Sequence, residues 1–462
     1  MRRTLLLAPL VAALLAACAG APIEPPAAPP APAPWAQTPS ANESAAWAPV
    51  LTPALQTLLQ QALTANTDIR RAALAWQSAQ LQAKAQGLRV QPQASLSYSA
   101  NRPLESQGAT INVNGVLVPV SQNAQWSHSY GASVGAGFEI DLWNRLAQLD
   151  AQQAALSEAA RSDIAAARQT IASRVAESYW TLSANERFVE LAQRKLQLAE
   201  AALPLVTARV KEGKLAPLEI PKAAASIQAA REQVAFNVAA AAKARLTLAQ
   251  LLDQPLPGPA ISGTPLPDRL PAWTADEPAK VLERRPDVHR ARLEVDAALA
   301  AARATRAARY PQLSFSAGLG TGGARMSDWF SQPLLSLASN LTVPLIDWRR
   351  LDIQDAQSRN TLESSALQLR AQVSTALVEV QGLLVDQNRI VSSRESAETQ
   401  RAQALEAARI AALKFEVGSL ARADELQARI AALDTEQAVI QAQLDAILNR
   451  LALLRALAVP VT

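Results

Sequence analysis

The chain is written twice. Sliding the 462 residues against themselves by 219 positions aligns Asp68, Arg71, Ala72, Leu74, Ala83, Ala85, Pro92, Gln93, Ser95 and Ser97 with identical residues between Asp287 and Ser316, without a gap. A second match, offset by 205, pairs Arg145-Leu146 with Arg350-Leu351, Asp150-Ala151-Gln152 with Asp355-Ala356-Gln357, Gly213 with Gly418, and Leu215-Ala216 with Leu420-Ala421. Alanines match by chance in an alanine-rich chain, so the weight rests on Asp, Arg, Pro, Gln and Gly. The offsets differ by fourteen residues (219 − 205), which places a longer insertion between Ser97 and Arg145 of the first copy. A period near 200 is too long for a solenoid unit and marks an internal duplication.

Each copy opens with a helical pattern, Asp68 to about Arg89 and Asp287 to about Arg309, closed by Pro92 or Pro311. Period two follows at once. In the first copy Ala94, Leu96, Tyr98 and Ala100 alternate with Gln93, Ser95, Ser97, Ser99 and Asn101, and Trp126 to Leu142 alternates apolar residues with Ser and Gly, with only His128 spoiling the apolar face. In the second, Leu313, Phe315, Ala317 and Leu319 are followed by Leu335, Leu337, Leu341, Val343 and Leu345. The expected strands are about 93–102, 125–142, 312–320 and 334–346, in two hairpins, with loops over 103–123 and 321–332.

Very long helices come next, about 145–210 and 351–416, each returning after a glycine as a helix over about 217–252 or 421–457. A helix of 66 residues extends roughly 100 Å. Ile164, Ile171, Val175, Leu182 and Val189 repeat at seven and four, the spacing of coiled-coil packing. Pro204 is expected to kink the first long helix or end it early. The composition agrees: 49% of residues are hydrophobic but only 4% aromatic, so alanine and leucine on closely packed helices supply the apolar surface. Repeats 54–252 and 285–457 flank a connecting segment, 253–284.

The first residues are an address. Met1-Arg2-Arg3 is basic, and Thr4 to Ala17 is an apolar stretch of fourteen residues, short of the roughly 20 that span a bilayer. It reads as a secretory signal, 1–17, ending Leu15-Ala16-Ala17 before the one cysteine, Cys18. That ending resembles the bacterial lipoprotein signal, which implies cleavage and acylation at Cys18. Ala19, rather than Asp, follows, so the usual inner-membrane retention signal is missing and outer-membrane delivery is implied. Ten of the 29 prolines lie between Pro22 and Pro53, an extended, semi-rigid tether over 18–53.

With that destination, alternating segments of strand length are what transmembrane β-strands look like, apolar toward lipid and polar toward a lumen. Four strands cannot close a barrel, and an open edge in lipid leaves backbone amides unpaired. The barrel must therefore be shared between chains. Tyr98, Trp126, Tyr130 and Trp329 fall near strand ends, where aromatic girdles lie.

Several functions are excluded or left unsupported. One cysteine and two histidines are too few for a zinc or haem site, so no metal or other cofactor is expected beyond the lipid. A formal charge of +4, or 42 − 40 = +2 without Arg2 and Arg3, does not point to nucleic acid. Neither His128 nor His289 accompanies a nucleophile motif, and Gly131, Gly135 and Gly137 lie in a strand rather than opening a helix, so no enzyme is expected.

These residues together resemble the outer-membrane efflux proteins typified by TolC and OprM, and more closely their lipoprotein, NodT-type, branch. The resemblance rests on Leu15 to Cys18, on Pro92-Gln93 and Pro311-Gln312 leading into strands, on the duplicated plan, and on Lys414-Phe415-Glu416-Val417-Gly418 at a helix turn, followed by Ser419-Leu420-Ala421-Arg422-Ala423-Asp424. It implies a homotrimer with a twelve-strand barrel in the outer membrane of a Gram-negative bacterium, continued by a helical tube across the periplasm. It also implies a periplasmic adaptor and an inner-membrane RND-type transporter as partners, with the duct passive. Type I protein secretion driven by an ABC exporter is the alternative of the same architecture; a structural periplasmic coiled-coil lipoprotein is that of another class. The same resemblance makes Lys211, Gly213, Lys214, Leu215, Ala216, Gly418, Ser419, Leu420 and Ala421 candidate adaptor contacts. Asp424 and Glu219, six residues after their glycines, would be gate carboxylates, with Arg422 or Lys214 as closed-state partners. A plain helix end, solvated or weakly paired, fits the same residues. Pro217 and Pro221 set the first copy apart from the family pattern.

Overall fold

The structure, a computed structural model, describes residues 23–30, 32–35, 47–102, 108–113, 115–121, 126–256, 261–271, 277–344 and 347–460. The expected signal, 1–17, and Cys18 lie outside them, as do 36–46 of the tether. Fourteen longer elements follow in order: α1 Pro53–Ala65, α2 Thr67–Gln86, β1 Val90–Asn101, β2 Gly108–Val113, β3 Val116–Ser121, β4 Ser127–Ile140, α3 Arg145–Lys211, α4 Glu219–Leu251, α5 Pro278–Arg284, α6 Pro286–Ala307, β5 Gln312–Gly323, β6 Leu334–Thr342, α7 Trp348–Glu416 and α8 Arg422–Ala456. Two compact units result. One holds the described residues up to Pro26 with Ser78–Ser157 and Glu294–Ala366; the other holds the described parts of Ala27–Gln77, Glu158–Leu293 and Leu367–Thr462.

The first unit contains an antiparallel sheet in the order β1-β4-β5-β6. Hairpin pairing joins β1 to β4 and β5 to β6, and the β4–β5 ladder joins the two copies of the duplication, with Val134 opposite Leu319 and Phe138 opposite Phe315. The alternation sorts the faces. Leu96, Val134, Leu319, Leu335 and Leu337 share an apolar face and are all exposed, Leu96 to 77% and Leu337 to 76%. The other face is Ser and Gly. Ser95 and Ser133 hydroxyls meet at 2.8 Å, and a Cβ on Gly322 would stand 2.7 Å from the Tyr130 carbonyl oxygen, so glycine is what lets these backbones approach.

The structure departs from the expected elements at four points. Pro92 does not precede the first strand but lies inside it, paired with Ala136, in β1 at one edge of the sheet, where proline is tolerated. Two further strands, β2 and β3, form a separate hairpin in the long insertion, beside Gly115 at φ +88°. The opening helices end earlier than expected, at Gln86 and Ala307, and each is preceded by another helix, α1 or α5. Finally, of the two outcomes expected at Pro204, a kink or an early end, the early end does not occur: α3 runs through it to Lys211.

Asp141 starts α3 as a cap: the Leu146 and Ala147 N–H groups donate to its two carboxylate oxygens at 3.0 and 2.7 Å, and Asn144 turns the chain at φ +56°. A duplicated strap ties the residues just before each hairpin to the long helix after it. Arg89 pairs with Asp150, and Arg309 with Asp355 at 3.6 Å.

The second unit holds the hydrophobic core. Tyr179 and Trp180 of α3 are fully buried with Leu55 and Leu59 of α1, Leu248 of α4 and Leu451 and Leu454 of α8. Both aromatic rings keep polar partners, Trp180 Nε1 donating to the Val50 carbonyl at 3.1 Å and Tyr179 OH to Thr264 at 3.0 Å. Of the expected α3 seam, Ile171, Val175 and Leu182 are buried, while Ile164 and Val189 are half-buried. A buried charged node lies nearby. Arg285 donates to Asp287 at 2.8 Å, to Glu379 at 2.9 Å and to the Ala456 carbonyl at 2.8 Å, and Gln372 adds a donor to Asp287 at 2.7 Å. Burial opposes the charge on both groups, yet the hydrogen bonds and mutual attraction prevail: the Asp287 carboxyl is held below its usual range and the Arg285 guanidinium above it.

Candidate functional site at the helix reversals

Where α3 and α7 end, the chain turns by the same device twice. Gly213 and Gly418 take φ +68° and +75°, with open space where a side chain would start, so backbone conformation rather than crowding calls for glycine. The N–H of Gly213 donates to the Val210 carbonyl at 3.0 Å and that of Lys214 to Arg209 at 2.9 Å; Gly418 donates to Phe415 at 3.0 Å and Ser419 to Lys414 at 2.8 Å. This is the Schellman pattern, which satisfies the last carbonyls of each helix. Both return helices begin with acids in the first turn, Glu219 in α4 and Asp424 and Glu425 in α8, where the positive end of the helix dipole favours them.

The candidate contact residues all fall at these reversals. Lys211, Gly213, Lys214, Ala216, Gly418 and Ser419 are exposed, and Leu215, Leu420 and Ala421 are half-buried. Two apolar neighbours outside the expected set stand beside them, Val417 at 79% exposure and Leu218 at 62%.

The charges pair differently from the expectation. Asp424 is met by Arg209, from the end of α3, at 3.3 Å. Arg422 does not pair with it. Two helical positions apart means about 200° around the axis, so Arg422 instead reaches Glu425, at i+3 and 3.0 Å, and lays its guanidinium 5.0 Å from the Phe415 ring. Lys214 likewise turns to Glu212 at 2.8 Å, not to Glu219 or Asp424, and its hydrogen bond holds the Glu212 carboxyl below the ordinary range. Glu219 has Lys222, one turn on, at 2.7 Å. Glu425 is the residue missed. It is fully buried between Arg422 and Arg429, its oxygens close to both guanidinium groups but without hydrogen-bond alignment. Its signal in the sequence was an acid with arginines at i−3 and i+4.

The sheet carries a second set of functional geometry. Tyr98 and Tyr130 rings lie 5.1 Å apart, Tyr130 and Trp329 6.4 Å, and Trp329 and Phe330 5.7 Å, with His128 Nδ1 3.0 Å from the Tyr98 hydroxyl. Trp126, the other expected girdle residue, is exposed one position before β4. At the opposite strand ends Trp143 stacks on Tyr310 at 4.7 Å and donates to the Pro311 carbonyl at 2.8 Å. The apolar face is thus bordered by aromatic rings at both ends. No described helix is long and apolar enough to cross a membrane, and among the described residues no three His, Cys, Asp or Glu side chains converge on a common point.

Comparison with known proteins agrees with this architecture. Residues 58–254 and 278–459 match the family described as outer membrane efflux proteins, one segment for each copy of the duplication. The pyoverdine export outer membrane protein OpmQ of Pseudomonas aeruginosa is 28% identical over 415 residues, 89% of this chain and 84% of its own. The multidrug resistance outer membrane protein MdtP of Escherichia coli is 25% identical over 430 residues, 89% and 85% of the two chains. Among solved structures, the outer-membrane channel OprN superposes with a TM-score of 0.78 at 22% identity, covering 96% of this chain and 99% of that one. The MtrE outer membrane channel of Neisseria gonorrhoeae does so with 0.77 at 24%, covering 95% and 98%. The chain therefore belongs to the outer membrane efflux protein family and has the TolC-like fold, a β-sheet built for a barrel continued by long antiparallel helices.

Proposed function

We propose that three copies of the chain form the outer-membrane exit duct of a tripartite pump: a shared barrel of twelve strands, three times the four of the sheet, and a tube of long helices. The observation that carries this reading is the sheet itself. Its apolar face is exposed, and β1 and β6 each leave one edge unpaired; in lipid those edges need partners, which only further copies supply by the same register. The lipid on Cys18 holds the chain at the membrane. The reversals at Gly213 and Gly418, with Lys211, Lys214, Leu215, Ala216, Ser419, Leu420 and Ala421, meet a periplasmic adaptor, and an inner-membrane RND-type transporter supplies the energy. The relatives named for pyoverdine export and multidrug resistance support small molecules as the cargo.

Asp424 is proposed as the gate. In a trimer it becomes a ring of three carboxylates that attracts cations, and its pairing with Arg209 holds the helix ends together. Glu219, paired along its own helix with Lys222, and Arg422, engaged with Glu425, act as supports of the turns. The test is the conductance of purified protein in planar bilayers, wild type beside Asp424→Ala, with divalent cations titrated from the side of the turns. A small cation-selective current, blocked by divalents and larger in the mutant, is expected. No current from folded trimers of either form would overturn the duct; a current unchanged by the mutation would remove Asp424 as its gate.

A further inference from the structure

The four-stranded sheet is almost without charge. Across β1, β4, β5 and β6 a single side chain, Glu139, is an acid or base ionised at neutral pH. It stands on the face otherwise built mainly of Ser and Gly, at the end of β4 that leads into α3, opposite Ser314 of β5. Its charge is not bare. Arg145, the first residue of α3, donates through Nη2 to both carboxylate oxygens, at 2.7 and 2.8 Å, and through Nε to one of them at 3.3 Å. Only 26% of the Glu139 side chain and 22% of the Arg145 side chain are exposed, and a forked pair of this kind is both strong and fixed in direction. The next acid along the chain, Asp141, is also engaged, by the N–H groups of Leu146 and Ala147 that it caps.

We propose that Arg145 keeps the barrel wall electrically neutral by closing the charge of Glu139 in a pair, so that the barrel passes small polar cargo of either sign without sorting it by charge. This rests on the trimeric duct proposed above, in which the Ser and Gly face lines the lumen and the pair occurs once per chain. An unpaired carboxylate at this place would recur around the wall as a ring, and carboxylate rings make pores select cations. A wall of hydroxyl groups and glycine backbone offers hydrogen bonds to any solute and repels neither sign. The pair also braces the strand against the helix, but a brace alone predicts no effect on ion selectivity. The reach of an uncovered charge depends on salt, since the Debye length is about 10 Å at 0.1 M and about 3 Å at 1 M.

Reversal potentials under a potassium chloride gradient in planar bilayers test this, with full-length trimers that carry Asp424→Ala as the parent, so that the other carboxylate ring is absent. Arg145→Gln is expected to raise the potassium-to-chloride permeability ratio about twofold or more near 0.1 M salt, an effect that fades near 1 M. Glu139→Gln, which uncovers the arginine, should lower the ratio by a similar factor, and the double variant Glu139→Gln/Arg145→Gln should return it to the parent value. Arg145→Lys keeps the charge without the fork and should stay near the parent. Ser316, exposed on the same face opposite Gly137, gives a variant that leaves the brace intact: Ser316→Asp should act as Arg145→Gln does, even where the Arg145 variants fail to fold. Equal ratios in the parent, Arg145→Gln and Glu139→Gln, shifts of both single variants in one direction, or an inert Ser316→Asp would overturn the neutral wall while leaving the duct in place. Folded trimers that pass no current in any form would overturn the duct itself, and the neutral wall with it.

Discussion

The Arg209 guanidinium lies 3.3 Å from the Asp424 carboxylate, and the two residues belong to different copies of the duplication. The return helix of the second copy is thus latched to the outgoing helix of the first. Both side chains are partly exposed, so the latch is weak and salt-sensitive.

Arg209→Ala should therefore raise channel open probability modestly, between about 1.5-fold and fivefold for a pair worth 0.2–1 kcal/mol, and the charge-swapped Arg209→Asp/Asp424→Arg double variant should restore most of the closure. Single-channel recording at low and high salt checks both; the single-variant effect should shrink in molar salt.

Three glycines predict three different outcomes. Gly418→Ala forces a side chain onto a left-handed residue in open space and should cost roughly 1 kcal/mol by strain alone. Gly322→Ala, whose Cβ would meet the Tyr130 carbonyl oxygen at 2.7 Å, should cost about 1–3 kcal/mol and lower barrel yield. Gly382→Ala, inside α7 with nothing within 4 Å, should stabilise by about 0.5–1 kcal/mol. Thermal denaturation of the assembled protein orders the three.

At Glu425, removing the carboxylate strands two arginines that are themselves 40% and 47% exposed. They can turn to water, so Glu425→Gln should cost less than the 3–5 kcal/mol typical of breaking a buried pair, about 1–2 kcal/mol. The change should loosen the second reversal selectively, read as faster amide exchange at Ser419–Ala423 with none at Lys214–Leu218.

The Asp287 carboxyl, held below its usual value by Arg285 and Gln372, gives a pH dependence of definite sign. Because its folded value lies below its unfolded value, its stabilisation is complete above the unfolded value and is lost as the pH falls through the lower, folded one. Stability should therefore decline below about pH 4, and Asp287→Asn should flatten that part of the profile. Acid titration of unfolding for the two proteins checks this.

Much of the architecture was legible because it is periodic. Alternation of Leu96, Tyr98 and Ala100 with serines can only be a strand, and Gly213 and Gly418 stand where long helical patterns break. What escaped was set by tertiary context. Of the two outcomes expected at Pro204, a kink or an early end, the early end does not occur: the 67 residues of α3 are held by packing of Tyr179, Trp180 and other side chains on neighbouring helices, and a local cost of about 3 kcal/mol does not outweigh it. Glu425 carries no expectation from the sequence, since nothing local reveals that its side of the turn is covered. The partner of Asp424 lay 215 residues away, in the other copy, beyond any argument from spacing. The hairpin β2–β3 stands where the sequence analysis expects a loop over 103–123, although Asn114-Gly115 between apolar residues is a hairpin signal.

The two reversals share one backbone solution and the pair Leu215-Ala216 or Leu420-Ala421, but differ around it: Lys211, Glu212 and Lys214 at the first stand where Glu416, Val417 and Ser419 stand at the second. A ring assembled from single repeats would have to change every tip at once with each substitution. Duplication within one chain separates the ring into two sets that selection can adjust independently, so that one set can be tuned for charge and the other for apolar contact while the shared glycine geometry keeps both the same shape.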